Sequence, residues 1–440
     1  MARKLFGTDG VRGVAGEFLT AELAQALARA ATARAAGDGA APRVLVARDP
    51  RESGEMLEAA VAAGVAEAGG EALLAGILPT PGVPLLIARY GFDLGVVISA
   101  SHNPYRDNGI KFFGGDGFKL SDDAELEIER ALDAAPPDGG GGGTARSLHG
   151  ALEDYLRALH ERFAGLDLAG RRIVLDCAHG ATYEAAPEIF RRLGAQPTVL
   201  AAAPDGRNIN DRCGSTHLDG LVALMREGGH DAGFAFDGDG DRVLAVDRTG
   251  AVVDGDELIA LAALHLRAQD RLPGGGVAVT VMTNYGFHTA MRDAGVEVET
   301  TPVGDRYVLE ALRARGWGLG GEQSGHIIDM GFVPSGDGIA AALLALEALG
   351  GADLADRRAM EKLPQTLVNV RVRDRDAYAG AGDLRALVER EHAALEGRGR
   401  VLVRPSGTEP LVRVMVEAPT AGEAEAVCGR IVAAVEAELA

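Results

Sequence analysis

One pattern of apolar and polar positions occurs three times along the chain. A β-branched apolar run leads through a loop into residues with apolar side chains at helical spacing, then a glycine, then a second apolar run. The copies are "RVLVARDPRESGEMLEAAVAAGVAEAGGEALLAG" from Arg43, "RRIVLDCAHGATYEAAPEIFRRLGAQPTVLAAAPDG" from Arg171 and "GVAVTVMTNYGFHTAMRDAGVEVETTPVGD" from Gly276. A helical period between two strand-like runs predicts a βαβ unit, hence a mixed or parallel sheet covered by helices. Its recurrence predicts three related α/β domains. Towards the C-terminus the pattern changes. "LVNVRVRD", "GRVLVRPS" and "PLVRVMVEA" read as strands, and "GDLRALVEREHAAL" and "AGEAEAVCGRIVAAVEAELA" as helices. That order predicts a smaller α+β domain with an antiparallel sheet. The run "PPDGGGGGTA", Pro136 to Ala145, cannot hold regular structure and reads as a linker. With further boundaries near Thr249-Gly250 and Leu363-Pro364, the expected domains are 1–145, 146–249, 250–364 and 365–440.

Chemistry is expected where strands run out into loops. Four such loops stand out. In "GVVISASHNPYRDNGIKFF" a buried-looking strand ends at Ser99-Ala100-Ser101, with His102 and then Lys111. Ser101 is a candidate nucleophile. On an extended chain adjacent side chains point opposite ways, so His102 is not expected to act as its base. The G-x-S-x-G elbow of a serine hydrolase is absent, and a serine that carries phosphate remains as a reading beside a simple turn. In "FAFDGDGDRVLAV", Asp237, Asp239 and Asp241 alternate with glycines between two apolar strands. Three carboxylates on so tight a backbone can converge on one hard cation and would repel one another without it. Arg242 and Arg248 occupy the positions where an EF-hand needs Gly and Glu, which favours a Mg²⁺ site completed by a phosphate oxygen. In "GLGGEQSGHIID", Glu322, Ser324 and His326 alternate, so in an extended loop they share one side and suit sugar hydroxyls, with His326 able to move protons. In "RPSGTEPLVR", Ser406, Gly407 and Thr408 offer hydroxyls and backbone N–H groups, and Arg404 and Arg413 offer guanidinium forks, the donor set of a phosphate cradle.

Composition narrows the choice. The chain has 44 basic and 64 acidic residues and a net charge of −20, which argues against broad binding to nucleic acid or an anionic membrane. Only Lys4, Lys111, Lys119 and Lys362 are lysines. A lysine in a suspected site is therefore informative, because its amine can be tuned where a guanidinium cannot. Cys177, Cys213 and Cys428 have no CxxC spacing, and MARKLFGTDG lacks the apolar core of a signal peptide, so a cytoplasmic protein is expected. No GxxxxGK[ST] occurs, and the glycine-rich stretches lack the context of a dinucleotide site.

Taken in order, "SASHNP", "DGDGDR", "GEQSGH" and "RPSGTEP" resemble the phosphoserine, metal, sugar and phosphate loops of the α-D-phosphohexomutase superfamily. "FGTDGVRG", "NINDRCGSTH" (208–217), "VGDRYV" (303–308) and Gln323 resemble its branch acting on amino-sugar phosphates; at His179 that branch commonly has Asn. The resemblance implies three α/β domains and a smaller C-terminal domain around a central cleft. It implies a phosphoserine at Ser101, one Mg²⁺ per subunit on Ser101, Asp237, Asp239 and Asp241, and Arg12 and Arg242 holding the transferred group. Lys111 is the first candidate for general acid–base and His326 the second, and a Lys beside Mg²⁺ and Arg is expected to have a lowered pKa. Glu322 and Ser324 would meet the sugar. Arg404, Ser406, Gly407, Thr408 and Arg413 would meet its phosphate. The implied reaction interconverts glucosamine 6-phosphate and glucosamine 1-phosphate through glucosamine 1,6-bisphosphate, feeding UDP-N-acetylglucosamine synthesis, in a monomer or homodimer. Alternatives are the same chemistry on mannose or glucose phosphates, a metal-dependent phosphatase, and a non-catalytic sugar-phosphate sensor.

Overall fold

In the computed structural model, which describes residues 5–7, 9–36, 41–132, 142–406 and 409–439, each repeated segment is a strand–helix–strand unit with parallel strands. The first sheet is built from β1 (Val11–Val14), α1 (Ala21–Ala35), β2 (Arg43–Arg48), α2 (Gly54–Glu67), β3 (Glu71–Ile77), α3 (Gly82–Tyr90), β4 (Leu94–Ile98), β5 (Asp107–Gly114), α4 (Asp122–Ala131) and β6 (Thr144–Ser147). The second comprises α5 (Ala151–Arg162), β7 (Arg172–Asp176), α6 (Thr182–Arg192), β8 (Gln196–Leu200), α7 (Asp219–Glu227), β9 (Ala232–Phe236), β10 (Val243–Asp247) and β11 (Val252–Val253). Next come α8 (Gly255–Ala268), β12 (Gly276–Thr280), α9 (Tyr285–Asp293), β13 (Glu297–Thr301), α10 (Asp305–Arg315), β14 (Leu319–Gly321), β15 (Ile327–Asp329) and α11 (Gly338–Leu349). The last segment is β16 (Gln365–Arg371), α12 (Gly382–Ala394), β17 (Arg400–Pro405), β18 (Leu411–Glu417) and α13 (Ala421–Leu439).

The repeat is larger than the βαβ pattern suggests. The strand orders contain β3-β2-β4-β5, β8-β7-β9-β10 and β13-β12-β14-β15. Each is one four-strand module: three parallel strands and a last one antiparallel. In every module the third strand turns back into the fourth through a short polar loop, and those three loops are the serine, aspartate and sugar loops of the sequence. β4, β9 and β12 are buried along their whole length, as strands covered on both faces must be. β6 pairs with β3, so the first sheet runs past residue 145; most of the glycine run lies outside the described residues.

The chain forms two compact units, Met1–Met282 with Glu297–Arg357, and Thr283–Val296 with Arg358–Ala440. Within the second, β16-β18-β17 is an antiparallel sheet whose Val412, Val414 and Val416 pack with Val427, Ile431 and Val435 of α13. Helix α9 belongs to this unit, although the strands on either side of it pair in the other. Its start is held there by Glu417, which is fully buried: the carboxylate accepts from Tyr285 N at 2.8 Å and pairs with Arg400 at 2.8 Å.

In the first unit α5 ties the modules together. Asp154 accepts from the Tyr90 hydroxyl at 2.5 Å, Glu153 pairs with Arg192 at 2.7 Å, and Arg162 lies 3.3 Å from Asp329. Buried Tyr155 donates to Asp337, the N-cap of α11, at 2.9 Å. Burial pushes the Asp337 carboxyl up to about 7. A carboxyl raised in the folded state adds no penalty below its unfolded value near 4; the penalty grows between about 4 and 7 and levels off above that. Asp337→Asn keeps the acceptor oxygen but buries an extra N–H, so it should be less stable than the parent near pH 4. The difference should swing in the variant's favour by about 4 kcal/mol by pH 8. Unfolding midpoints of both proteins across that range test this; a constant difference refutes it.

Candidate active site

Three loops of the first unit meet. Ser101 follows the end of β4 with a left-handed backbone (φ 53°), a conformation costing about 1 kcal/mol for a residue with a Cβ. Neighbours hold it. Its carbonyl accepts from Arg51 Nη2 and Asn210 Nδ2, both at 2.9 Å, and its N–H donates to Ser99 Oγ at 2.9 Å. Arg51 is itself buried and paired with Asp49 at 2.8 Å. The segment is a turn, closed by Asn103 N on Ala100 O at 3.1 Å, and not an extended chain. The argument that His102 points away from Ser101 therefore fails: its Nδ1 lies 3.3 Å from Ser101 Oγ. Burial, with Arg242 and Arg12 nearby, brings the His102 imidazole down to about 4.

The buried Ser101 hydroxyl donates to Asp237 Oδ2 at 2.5 Å. Asp237, Asp239 and Asp241 fill the β9–β10 connection, and one carboxylate oxygen from each lies within 4.8 Å of the others. The approach is close enough to require glycine at 238, where a Cβ would stand 2.5 Å from the Ser101 carbonyl oxygen. Burial and then the carboxylates of Asp241 and Asp239 push Asp237 well above the usual carboxylate range. Burial acts on Asp239 too, but Lys111 outweighs it and holds that group low. Asp239 Oδ1 and Asp241 Oδ1 are buried with no hydrogen-bond partner. Unpaired buried carboxylate oxygens are costly, and hard oxygen donors in this number fit a divalent cation such as Mg²⁺.

Lys111, on β5, is 1% exposed. Its Nζ lies 2.8 Å from Asp239, 3.0 Å from Asp9 and 3.5 Å from Asp241. Burial lowers the amine, but those three carboxylates overcome it and the pKa rises. The sequence reading set Lys111 beside Mg²⁺ and Arg; its immediate surroundings also hold the carboxylates of Asp239, Asp9 and Asp241, which outweigh burial and the Arg12 guanidinium. Arg12, on β1, pairs with Asp9 and reaches the Ala100 carbonyl at 3.3 Å. Arg242 Nε is 3.9 Å from Asp241 Oδ1.

The third loop departs from expectation. Residues 322–325 form a tight turn, with Gly325 N on Glu322 O at 2.9 Å, not an extended run. Glu322 and His326 are buried, and Ser324 is exposed in that turn. Glu322 Oε1 accepts from Gly304 N at 3.0 Å. His326 Nε2 lies 3.6 Å from Asp305 Oδ2 and 3.8 Å from Asp241 Oδ2, and neither ring nitrogen has a hydrogen-bond partner. At Gly336 a Cβ would meet Nε2 at 2.5 Å.

In the second unit Arg404 and Arg413 are directly cross-strand on β17 and β18. Like charges so placed repel; burial and Arg413 together lower the Arg404 guanidinium. Ser406 is buried, its N–H on Leu411 O at 2.8 Å and its Oγ accepting from Glu409 N at 3.3 Å. Gly407 and Thr408 lie outside the described residues.

The sequence reading missed Asp49, Arg51, Thr80, Asn210, Asp9, Lys119 and Asp305. Asp49 and Arg51 follow the C-terminal end of β2, the place where loops gather chemistry, and this was the signal available. Thr80 donates to Asp239 at 2.7 Å across 159 residues, which no local pattern announces.

Family models for phosphoglucomutase/phosphomannomutase match along the chain: α/β/α domain I at residues 3–137, domain II at 153–250, domain III at 254–367 and the C-terminal domain at 367–434. A phosphoglucosamine mutase of Moorella thermoacetica is 52% identical over 431 residues, covering 96% of this chain and 97% of that one. One of Mycolicibacterium vanbaalenii is 50% identical, covering both chains fully. The crystal structure of a phosphoglucomutase/phosphomannomutase family protein from Burkholderia thailandensis shares the fold with a TM-score of 0.82 at 24% identity, covering 98% of each chain. Among the described residues, no helix is long and apolar enough to cross a membrane. The chain belongs to the phosphoglucomutase/phosphomannomutase family, and within it to the phosphoglucosamine mutase branch.

Proposed function

We propose that this chain interconverts glucosamine 6-phosphate and glucosamine 1-phosphate, with Ser101 carrying the phosphoryl group between them. The observation that supports it most is the buried Ser101 hydroxyl, 2.5 Å from a carboxylate of a three-aspartate cluster. Asp237, Asp239, Asp241 and a phosphoryl oxygen on Ser101 would hold one Mg²⁺, which neutralises charge on the transferring group. Arg12 and Arg242, both near the cluster, would steady that group from the side. Transfer from phosphoserine to the sugar O1 breaks the Oγ–P bond and gives glucosamine 1,6-bisphosphate; return of the 6-phosphoryl group to Ser101 leaves glucosamine 1-phosphate. Of the two candidates for the sugar hydroxyl proton, His326 fits better. Its ring nitrogens are unpartnered, whereas three carboxylates surround the Lys111 amine. Glu322 and Ser324 would contact the sugar. The repelling Arg404–Arg413 pair, with Ser406, Gly407 and Thr408, suits the phosphate that is not being transferred.

Turnover on glucosamine 6-phosphate, glucose 6-phosphate and mannose 6-phosphate, each with Mg²⁺ and a trace of hexose bisphosphate, tests the reading. The amino sugar should lead in kcat/KM by about tenfold or more, a margin one well-placed polar contact supplies. Equal or reversed preference would favour a glucose or mannose phosphate mutase. Steady release of inorganic phosphate would favour a phosphatase.

A further inference from the structure

The proposed reaction gives Asp9 no part, yet Asp9 touches three cations. Its Oδ2 lies 3.0 Å from Lys111 Nζ and also pairs with Arg12. Its Oδ1 bonds Lys119, whose amine bonds Asp305 as well. Asp305 in turn lies 3.6 Å from His326 Nε2. Alternating charge thus runs from the aspartate cluster through Lys111, Asp9 and Lys119 to Asp305, which faces His326. Among the described residues Asp9 is the carboxylate that pairs with both lysines.

The two oxygens of Asp239 are used differently. Oδ2 accepts from Lys111 and Thr80, while Oδ1 is buried without a partner. Asp241 repeats this: Oδ2 lies 3.5 Å from Lys111, and Oδ1 accepts no hydrogen bond. The Lys111 amine therefore stands on the Oδ2 edge of both groups. An ammonium has three donors, and its third carboxylate is Asp9. Without Asp9, its remaining carboxylates are those of the cluster, and Coulomb attraction draws it toward their spare oxygens.

We infer that Asp9 is a positioning residue of the phosphoryl-transfer site: it holds Lys111 on the Oδ2 edge of Asp239 and Asp241 and so keeps their Oδ1 atoms free for a divalent cation. The inference rests on reading the cluster as a cation site.

Mn²⁺ affinity, measured by electron paramagnetic resonance on the full chain, provides the test. Asp9→Asn should weaken binding about tenfold, as loss of an outer partner commonly does. Lys111→Met should tighten it, by removing the competing cation. In the Lys111→Met background, Asp9→Asn should change affinity by less than about threefold, since its effect travels through the amine. An equal loss in both backgrounds would overturn the proposal, because Asp9 would then act by its own charge. With substrate, Asp9→Asn should lower kcat on the order of tenfold to a hundredfold and leave KM nearly unchanged, and Asp9→Glu should recover part of the loss. Normal kcat in Asp9→Asn would overturn it. Should Lys111→Met not fold, a crystal structure of Asp9→Asn decides: Nζ is expected on Oδ1 of Asp239 or Asp241, and an unmoved amine refutes the role. If Asp239→Asn leaves Mn²⁺ binding unchanged, the cation-site reading itself is wrong, which is separable from the role of Asp9.

Discussion

Ser101→Ala is expected to remove mutase turnover by about 10⁴-fold or more, the scale seen when a nucleophile that acts with its partners is deleted. The fold should survive. The bonds that fix this turn use the backbone of residue 101, from Arg51, Asn210 and Ser99, and alanine keeps them. The left-handed φ costs alanine about what it costs serine. The lost hydroxyl partners are Asp237 and His102 alone. The unfolding midpoint should therefore move by no more than a few degrees, on the order of a 1 kcal/mol change in a large chain. Peptide mapping after incubation with a hexose bisphosphate should find phosphate on Ser101 in the parent and nowhere in this loop of the variant. Retention of even a few per cent of parental turnover would refute the covalent role.

Asp239→Asn should lose turnover by two to three orders of magnitude, roughly the worth of one preorganised charge in a buried site. It also carries a stability cost that its neighbour does not. Lys111 and Asp239 are each 1% exposed and 2.8 Å apart. Deleting one partner of a buried pair typically costs about 3–5 kcal/mol; Asp9 and Asp241 remain near the amine, so about 2 kcal/mol is the better figure here. Asp237 is the opposite case. Burial and two carboxylates already press it toward its neutral form, and Asp237→Asn should be close to neutral in stability while losing comparable turnover. Denaturation midpoints of the two variants, measured side by side without divalent cations, make the comparison. Equal stability would remove Lys111 as the counter-ion of Asp239.

The three βαβ copies and the antiparallel last sheet were legible because each buries an apolar stripe with its own period. The serine and aspartate loops were legible because polar side chains stand where apolar strands end. The module's fourth strand escaped notice: Asp107–Gly114 and Val243–Asp247 read locally as any strand, and only pairing shows that they repeat the same place. The sugar loop was read as an extended alternation, while Gly325, with φ of 91°, bends it into a turn. Part of the Lys111 surroundings stayed hidden for another reason: Asp9, one of its three carboxylates, lies 102 positions upstream, beyond any local spacing. The serine loop's left-handed turn depends on Arg51 and Asn210, contributed by two other segments.

Helix α9 has a bearing on biogenesis. Translated early, it waits for the carboxylate at 417 to meet its first turn. A nascent chain arrested anywhere between Thr301 and Glu417 would carry that helix without its acidic anchor. Trimming the gene back to the first three modules would likewise leave the N–H at 285 without that partner, and removing the tail cleanly would call for a replacement acceptor at this end of the helix.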